Sequence, residues 1–313
     1  MALGNSLENK LVVLIGGNGF IGTHVAQDLL ERGARLRIAA RHPEKALKLK
    51  PLANLGQLQF ARCNVKNAAS VEACVKDADA VVYLVGTFGK DQKALQATGA
   101  QVAANAAKKE GASAFVYLSA IGADAESESG YASTKGLGEQ LVLEAFPKAT
   151  ILRPSVLFGQ DDDFINMFAG LISFMPVLPV FGSDAKLQPV WVDDVAQAVG
   201  NALADPVKHG GKTYELAGPE VVTMGELHER IAQAEERKRS FIPVPDALSA
   251  VFAALPGTPI NGDQWRLLKS GSTASGKLPG IDRLGVTPKP LSLFLDKWMV
   301  RYRKHGRFTV SAT

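Results

Sequence analysis

The stretch Leu11-Val12-Val13-Leu14-Ile15-Gly16-Gly17-Asn18-Gly19-Phe20-Ile21-Gly22 is an aliphatic run that ends in glycines spaced three apart. The run predicts a strand buried on both faces of a parallel sheet. Gly16 would let the strand end sharply, Gly19 would let backbone N–H groups approach an anion, and Gly22 would let a helix pack closely. The stretch predicts a loop that holds the pyrophosphate of a dinucleotide. An ordinary strand, turn and helix without a ligand is the alternative.

The alternation of strands and helices continues through the first half of the chain. Strands are predicted at 35–40, 58–61, 80–85, 114–119 and 150–153. Helices are predicted between them, at 20–33, 44–53, 69–76, 92–109 and 131–144. Helix-length connections imply parallel strands with right-handed crossovers. The predicted fold class is α/β, a doubly wound, Rossmann-like parallel sheet that binds its ligand across the carboxyl ends of the strands.

The second half of the chain is richer in proline and has shorter elements. We expect a dinucleotide-binding domain over 1–158 and a smaller, irregular C-terminal α/β lobe over 159–313 that covers the cleft, with some exchange of chain between them. Helices are predicted at 193–204, 224–234 and 247–255, and a strand at 213–216. Thr223 and Asp246 are expected to cap the last two helices.

Composition excludes several functional classes. The formal net charge is +4, and the basic residues are scattered without interleaved aromatic residues, which argues against nucleic-acid binding. Cys63 and Cys74 have the spacing of neither a disulfide framework nor a metal cluster, and they suit a reducing compartment. His24 and His42 flank the predicted cofactor loops without ligand spacing, so no metal is expected.

The sequence predicts no signal peptide and no transmembrane span, so we expect a cytoplasmic protein. The apolar segment from Phe164 to Phe181 contains Pro176 and Pro179, which would break a spanning helix. It is predicted to be a short helix followed by an apolar loop. The basic run from Arg301 to Arg307 is either a solvated terminus or a docking segment. Its target would be an acidic partner or the anionic inner face of a membrane, which the protein would contact peripherally.

Tyr131 and Lys135 lie four residues apart in a predicted helix, so their side chains share one face. An ammonium beside a phenol stabilises the phenolate and is expected to lower the pKa of the tyrosine. Such a tyrosine can exchange a proton with a carbonyl or alcohol while a nicotinamide cofactor moves a hydride. Ser119, at the end of the fifth predicted strand, is a weaker catalytic candidate. An ordinary helix face is the alternative.

The end of the second predicted strand distinguishes NAD from NADP. An acidic residue there would bind the ribose 2′-hydroxyl and repel a phosphate. This chain instead has Ala39 and Ala40 followed by Arg41, whose guanidinium suits a bidentate phosphate contact. His42 could assist it. NADP(H) is therefore favoured over NAD(H), the alternative being that Arg41 merely starts a loop.

Four motifs together resemble the extended and atypical short-chain dehydrogenase/reductase superfamily. They are Gly16-x-x-Gly19-x-x-Gly22, Tyr131-x-x-x-Lys135, Arg153-Pro154 followed by Gly159, and Val190-Trp191-Val192-Asp193-Asp194-Val195. Three further stretches, at 118–123, 256–268 and 301–308, are similar to one group in the superfamily. That group is the nucleotide-binding accessory subunit of respiratory complex I and its bacterial relatives. The resemblance implies a tightly held NADPH, with a mainly structural role in the mitochondrial member.

The resemblance also implies which residues contact the cofactor. The loop would hold the pyrophosphate, the third strand would end at the adenine, the fourth at the ribose and the sixth at the nicotinamide. With Arg41 and His42, the expected contacts are Gly16, Asn18, Gly19, Phe20, Ile21, Gly22, Asn64, Val65, Val85, Gly86, Thr87, Lys135, Pro154, Ser155 and Val156. Asn64 stands where an aspartate is commoner, which would alter the hydrogen bond to adenine.

One departure from the superfamily weakens the prediction of catalysis. Ala120 stands where sugar-modifying relatives end the fifth strand with a hydroxyl, and Ser119 lies one residue earlier, where a strand faces the opposite side. The first predicted function is therefore a redox-silent NADPH-binding accessory or assembly protein with a respiratory-complex or quinone-related partner. The second is an NADPH-dependent oxidoreductase, or an epimerase/dehydratase-like enzyme. It would use Tyr131 and Lys135 on a small carbonyl, quinone or sugar nucleotide. An NADPH sensor that regulates a partner is a third.

Overall fold

The computed structural model describes residues 7–249 and 262–304. The strands are β1 (Leu11–Ile15), β2 (Arg35–Ala40), β3 (Leu58–Arg62), β4 (Ala80–Tyr83), β5 (Ala114–Leu118), β6 (Thr150–Pro154), β7 (Leu157–Phe158), β8 (Val177–Phe181), β9 (Lys186–Leu187), β10 (Val190–Trp191), β11 (Thr213–Leu216), β12 (Val222–Thr223) and β13 (Ser240–Val244). The α-helices are α1 (Phe20–Glu31), α2 (Ala68–Val75), α3 (Gly99–Lys109), α4 (Gly130–Ala145), α5 (Phe164–Phe174), α6 (Val192–Ala204), α7 (Pro206–His209), α8 (Met224–Ala234), α9 (Gly262–Ser270) and α10 (Ser292–Met299). In the described residues no helix is long and apolar enough to span a bilayer.

The chain folds into two compact units, and each unit is built from segments that are separated in sequence. The first comprises residues 1–154, 192–216 and 275–287, and the second comprises 155–191, 217–274 and 288–313. The segment 192–216 comes from the part of the sequence expected to form the C-terminal lobe. Its strand β11 pairs with β6, which makes it part of the sheet of the first unit.

The first unit is built on a sheet of seven parallel strands in the order β11-β6-β5-β4-β1-β2-β3. Every residue of β1, β4 and β5 is buried, as expected for central strands covered by helices on both faces. The order reverses direction between β1 and β4, the switch point at which such sheets bind ligands. The predicted doubly wound α/β fold is confirmed.

The predicted helix over 92–109 is interrupted, since residues Lys93–Thr98 form a π-helix ahead of α3. Two buried tyrosines occupy the widened turn. The Tyr83 hydroxyl donates to the Leu95 carbonyl, and the Tyr117 hydroxyl donates to the Gln96 carbonyl at 2.8 Å. These bonds satisfy carbonyls in the interrupted ladder. A Cβ at Gly138 would lie 2.6 Å from the Gln96 carbonyl oxygen, so α4 approaches this turn through a glycine.

The second unit holds its core between short paired strands and helices. The strands pair as β7 with β10, β8 with β13, and β9 with β12. The core is mainly aliphatic and includes an aromatic group in which the rings of Trp191 and Phe294 are stacked at 3.8 Å. The predicted apolar loop after α5 is wrong, because Val177–Phe181 is a strand whose alternate residues Leu178 and Val180 are buried. Extended pairing with β13 accommodates Pro179 at an exposed position.

Two other expectations concern the second unit. Thr223 caps α8 through a reciprocal pair of bonds with Glu226, as predicted. Most of the helix predicted over 247–255 lies outside the described residues. In the basic run, Arg301 donates to the Gln160 carbonyl at 3.0 Å and Arg303 pairs with Glu236 at 2.6 Å. Residues 305–307 of that run lie outside the described residues.

Candidate functional site

The glycine loop between β1 and α1 is shaped by close backbone contacts. Gly16 has φ +84°, and its N–H donates to the Ala39 carbonyl at 2.8 Å. A Cβ at Gly22 would lie 2.6 Å from the Cα of Gly17, so only glycine lets the helix approach the loop this closely. A Cβ at Gly19 would meet nothing nearer than a carbonyl oxygen at 3.5 Å. The loop is packed on the protein side and open at Gly19.

The N-terminus of α1 can bind an anion. Gly19 is the N-cap, no side chain caps the helix, and its first turn has no acidic residue. The N–H groups of Phe20, Ile21 and Gly22 have no acceptor within the helix, because the first turn of any α-helix lacks one. These amides and the helix dipole would stabilise a pyrophosphate.

A cavity of about 300 Å³ extends from this loop along the carboxyl ends of the central strands. Its lining includes predicted residues that follow four strands, β1, β2, β3 and β4. They are Gly16, Asn18, Gly19, Arg41, His42, Val65, Val85, Gly86 and Thr87. The lining also includes residues that were not predicted: Ile15, Ala39, Ala40, Lys45, Cys63, Leu84 and Leu95. The lining thus combines apolar walls with amides and cations, as a dinucleotide requires.

Two cationic side chains, those of Arg41 and Lys45, follow β2. Arg41 and Lys45 are exposed, and they line the cavity with His42. The Asn18 amide donates to the His42 carbonyl at 3.0 Å, which ties the glycine loop to this corner. His42 is also paired with Glu44 at 3.1 Å. This corner provides positive charge where the 2′-phosphate of NADP would lie in such a sheet.

Asn64 and Val65 follow β3 as predicted, but they have different surroundings. Val65 lines the cavity. The Asn64 side chain accepts the N–H of Lys66 at 3.1 Å, forming a local turn, and its own N–H donates to Ser70 at 3.0 Å. Asn64 is exposed and its side chain is used to shape the loop.

Tyr131, Lys135 and Gln96 converge on Gly86 at the end of the cavity. A Cβ at Gly86 would lie 3.7 Å from the Tyr131 hydroxyl oxygen and from Gln96 Oε1, and 3.8 Å from Lys135 Nζ. Gln96 is fully buried, accepts the N–H of Thr87 at 2.9 Å, and donates to Thr134 at 2.6 Å. It therefore fixes the loop after β4 to helix α4. Sequence reasoning missed Gln96, whose only signal was a polar residue in an alanine-rich apolar helix.

Burial controls the protonation of the Tyr131–Lys135 pair. Lys135 is 2% exposed and donates to the carbonyls of Leu118 at 2.6 Å and Val85 at 3.2 Å. Burial lowers the pKa of Lys135 to about 7, although Glu139 opposes the shift. Burial also raises the pKa of Tyr131 to about 12. The expected lowering of the tyrosine pKa is wrong here, because desolvation of both groups outweighs their attraction.

Ser119 belongs to a buried network with Glu139 and Arg153. Its hydroxyl donates to Glu139, and Arg153 binds the same carboxylate through bonds of 2.8 and 2.6 Å. The side chains of Glu139 and Arg153 are 9% and 22% exposed. Ser119 therefore serves as a ligand of this ion pair, a role that does not require contact with a substrate.

Phe88 covers one face of the Tyr131 ring. The two rings are stacked with centroids 4.3 Å apart and planes 19° apart. Phe88 follows Thr87 in the loop that Gln96 holds, so its backbone is anchored next to the ring. This contact was not predicted, because an isolated phenylalanine in a loop is common on protein surfaces.

The three residues expected beside the nicotinamide lie where the chain leaves the first unit and enters the second. Pro154 ends β6 in the first unit, and its carbonyl accepts the N–H of Ile121 at 2.9 Å. Ser155 and Val156 begin the second unit. The Ser155 hydroxyl donates to the Ser272 carbonyl at 2.7 Å. Within the described residues, no cluster of three or more His, Cys, Asp or Glu side chains could hold a metal ion.

Comparison with known proteins supports a nucleotide-binding site. A family model described as NAD(P)H-binding matches residues 16–206. The mouse protein named NADH dehydrogenase (ubiquinone) 1 alpha subcomplex subunit 9, mitochondrial, is 30% identical over 96% of this chain and 82% of its own length. The protein of that name from Arabidopsis thaliana is 28% identical over 96% of this chain and 80% of its own length.

A solved structure has the same fold. The crystal structure of a nucleoside-diphosphate-sugar epimerase from Staphylococcus aureus matches with a TM-score of 0.73 and 17% identity, covering 92% of this chain and 100% of that one. At this identity the likeness concerns the fold alone. The matched family model and the mouse relative together establish the family. This chain belongs to the NAD(P)H-binding, extended short-chain dehydrogenase/reductase-like family, together with the subunit 9 proteins of mouse and Arabidopsis.

Proposed function

We propose that this protein holds NADP(H) firmly without consuming it and acts as an accessory component of a respiratory, quinone-linked complex. The proposal rests on a contrast, within the first unit, between the residues suited to hold a cofactor and the candidate catalytic residues. The glycine loop and the cationic corner are both suited to hold a cofactor. The Ser119 hydroxyl is bound to Glu139, and Phe88 is stacked on Tyr131.

The residues present fit the cofactor. The N-terminal amides of α1 would hold the pyrophosphate, and Arg41 with Lys45 would hold the 2′-phosphate. Val65 would pack against the adenine, and Lys135 would lie at the nicotinamide ribose beyond Gly86. When bound, the nicotinamide supplies hydride chemistry. The preference for NADP over NAD rests on the cations at the end of β2 and the apolar Ala39 and Ala40 before them.

Tyr131 is poorly suited to proton transfer at neutral pH. Catalysis by a tyrosine at neutral pH needs a pKa near the working pH. Burial instead raises the pKa of Tyr131 to about 12 and lowers the pKa of Lys135 to about 7. A substrate would also have to displace Phe88 to lie on the tyrosine ring. These features favour retention of the cofactor over its turnover.

The proposed partner is a respiratory complex, because the mouse and Arabidopsis relatives carry the name of a subunit of ubiquinone-linked NADH dehydrogenase. We propose a peripheral position on the inner face of the membrane, reached through that partner. Arg301 and Arg303 make contacts within their own unit, so direct attachment of the basic run to lipid has less support. Co-migration with a respiratory complex in native gels would test the partner.

The retained-cofactor proposal is tested on the purified full chain. Nucleotide that survives gel filtration is released and identified as NADP(H) or NAD(H). The loaded protein is then mixed with ubiquinone analogues and small carbonyls while nicotinamide fluorescence is followed. We expect NADP(H) to copurify and its fluorescence to stay constant. Turnover that is abolished by Tyr131→Phe would refute the silent role and support an enzyme.

An oxidoreductase is the second candidate, and one observation favours it. The Tyr131 hydroxyl and Lys135 ammonium lie together at Gly86, at the cavity end where such a pair would meet a nicotinamide. Phe88→Ala would uncover the tyrosine ring. Turnover by this variant, with none in the parent chain, would identify Phe88 as the block and keep the silent role for the natural protein.

A further inference from the structure

Three leucines lie at the surface of the chain segment that joins β2 to β3 in the first unit. Leu47, Leu52 and Leu55 have relative exposures of 44%, 52% and 107%. Leu49, which lies among them in sequence, is fully buried and packs the segment onto the unit. A single exposed leucine is ordinary, but three in one short segment form an apolar surface that the core does not use. We call residues 45–55 the leucine–lysine segment.

The backbone of this segment turns lysines outward beside the leucines. Residues Pro43–Leu52 form a 3-10 helix, in which side chains three residues apart lie in one row. The buried row is Ala46 and Leu49. The two remaining rows are exposed, and they align Leu47 with Lys50 and Lys45 with Lys48. Cations and an apolar side chain are therefore presented to solvent together.

A fixed turn presents Leu55. Gly56 has φ +80°, and the next residue, Gln57, is buried beneath the turn. The Gln57 side chain accepts the N–H of Asn54 at 2.9 Å and donates to the Leu30 carbonyl in α1 at 3.1 Å. These bonds tie the turn to the helix, so the fully exposed Leu55 is held at a defined position on the surface.

The charge of this part of the chain is positive. The leucine–lysine segment contains three lysines, and no acidic residue occurs between Glu44 and Glu72. Glu44, just before the segment, is paired with His42 at 3.1 Å. The segment is therefore complementary to an anionic partner.

The residue types favour a lipid surface over a protein as that partner. The centres of protein interfaces are enriched in aromatic residues, methionine and arginine and are depleted in lysine. Residues 45–55 contain lysine and leucine but no aromatic residue, methionine or arginine. Leucines can enter the boundary between headgroups and acyl chains, while lysine stems lie along the apolar surface and keep their ammonium groups at the phosphates.

We infer that the leucine–lysine segment binds directly to the surface of an anionic lipid bilayer. Lys48 and Lys50 attract the anionic headgroups, and Leu55 enters the bilayer boundary beside them. This contact goes beyond the proposed function, because it requires neither the cofactor nor the respiratory partner. Lys45 also lines the cofactor cavity, so it is left unchanged in the variants that test the lipid contact.

The first experiment measures co-sedimentation of the full chain with lipid vesicles. One set contains equal parts of phosphatidylcholine and phosphatidylserine, and the other contains phosphatidylcholine alone. We expect binding to the anionic set only, weakened by high salt. Lys48→Gln combined with Lys50→Gln should weaken binding about 25-fold, because each lysine at an anionic surface contributes about fivefold. Leu55→Ser should weaken it about tenfold, through loss of a leucine side chain from the apolar boundary.

Matched variants change the same residue types elsewhere. Lys108→Gln combined with Lys109→Gln removes the same charge from exposed positions of α3, and Val207→Ser replaces a side chain of α7 that is 94% exposed. Phe174→Ser changes an apolar side chain of the second unit that is 88% exposed. All three should bind vesicles as the parent does. No binding to anionic vesicles, or losses in these variants as large as in Leu55→Ser, would overturn the inference.

The same proteins are titrated with NADPH in the absence of vesicles. We expect the lipid-binding variants to bind the nucleotide as the parent does. If the parent fails to bind NADPH, the proposed cofactor is wrong, while the lipid contact is still judged by co-sedimentation.

The second experiment tests whether Leu55 itself enters the bilayer. Leu55→Trp is mixed with the anionic vesicles after their acyl chains have been brominated, since bromine quenches tryptophan fluorescence on contact. We expect stronger quenching than in the parent and in Val207→Trp, and equal quenching would refute insertion at this position. Sedimentation velocity without lipid tests the alternative occupant. A dimer that Leu55→Ser dissociates would assign the segment to a second copy of the chain and overturn the lipid contact.

Discussion

Replacing Arg41 with alanine should weaken the binding of NADPH much more than the binding of NADH. Arg41 lies at the carboxyl end of β2 and lines the cavity beside Lys45 and His42. A 2′-phosphate at this corner would accept charge-assisted hydrogen bonds from the guanidinium. NADH has a hydroxyl there and would lose little. Selectivity between the two nucleotides should therefore depend on this side chain.

The expected magnitude follows from the exposure of Arg41. Hydrogen bonds to charged groups contribute about 1.5–3 kcal/mol. Because Arg41 is exposed and screened by water and salt, the lower value of about 1.5 kcal/mol applies, which is about tenfold in Kd. The Kd for NADH should change by no more than about twofold, as is usual for an exposed charge without a partner.

The assay is a titration of nucleotide-free protein with NADPH and with NADH, by calorimetry or nicotinamide fluorescence, at low and high salt. Lys45→Ala serves as the second cavity cation. Lys90→Ala is the matched control, since Lys90 is exposed, is not in the cavity lining, and removes the same charge. High salt should reduce the Arg41 effect. Equal losses for both nucleotides, or an equal loss in the Lys90 variant, would refute the assignment of Arg41 to the phosphate.

Three further predictions concern stability and pH. Glu139→Gln should lower the free energy of unfolding by about 2–4 kcal/mol, because it leaves Arg153 largely buried without its anion. Denaturant unfolding measures this change, and a decrease below about 1 kcal/mol would contradict the prediction. The free energy of unfolding of the parent protein should rise between about pH 7 and the ordinary lysine pKa, and Lys135→Met should remove this rise. In that range the unfolded chain binds a proton that the folded chain does not, so parent stability increases with pH. Unfolding curves at several pH values check this, and parallel profiles would exclude it. Gly22→Ala should abolish nucleotide binding or folding through its 2.6 Å clash with the loop backbone, whereas Gly170→Ala, with open space around it, should be neutral or stabilising by melting temperature.

The periodicity of the sequence was sufficient to predict the sheet of the first unit. Continuous apolar runs such as β1 and β5 are typical of strands buried on both faces of a parallel sheet, and the spacing between them requires crossover helices. The π-helix at 93–98 could not be predicted in this way. It depends on the hydroxyls of Tyr83 and Tyr117, which reach the helix from strands distant in sequence. Helical periodicity does not contain that information.

The candidate site shows the same difference between features set by local sequence and features set by tertiary packing. The tight backbone at Gly16 and Gly22 and the position of Arg41 in the cavity lining could be predicted, because local backbone geometry and position after a strand determine them. The protonation of Tyr131 and Lys135 could not, since it depends on how deeply the fold buries them. Sequence spacing predicted that the pair is adjacent and said nothing of desolvation. The strand at 177–181 was missed because its prolines argued for a loop, whereas alternate burial against β13 decided the outcome.

In the proposed role, cofactor holding is separated from catalysis along one face of α4. Tyr131, Lys135 and Glu139 are spaced by four residues, so they lie in a row along that face. Glu139 binds the Ser119 hydroxyl together with Arg153, two turns or about 12 Å along the helix axis from Tyr131. The Ser119 hydroxyl, which could have polarised a substrate, therefore binds Glu139, at the end of this row opposite Tyr131. Ala120 offers no replacement, and Lys135 between them is committed to two backbone carbonyls. In that role the buried bonds keep Ser119 and Lys135 engaged with protein groups, and burial keeps the pKa of Tyr131 at about 12, far above neutral pH.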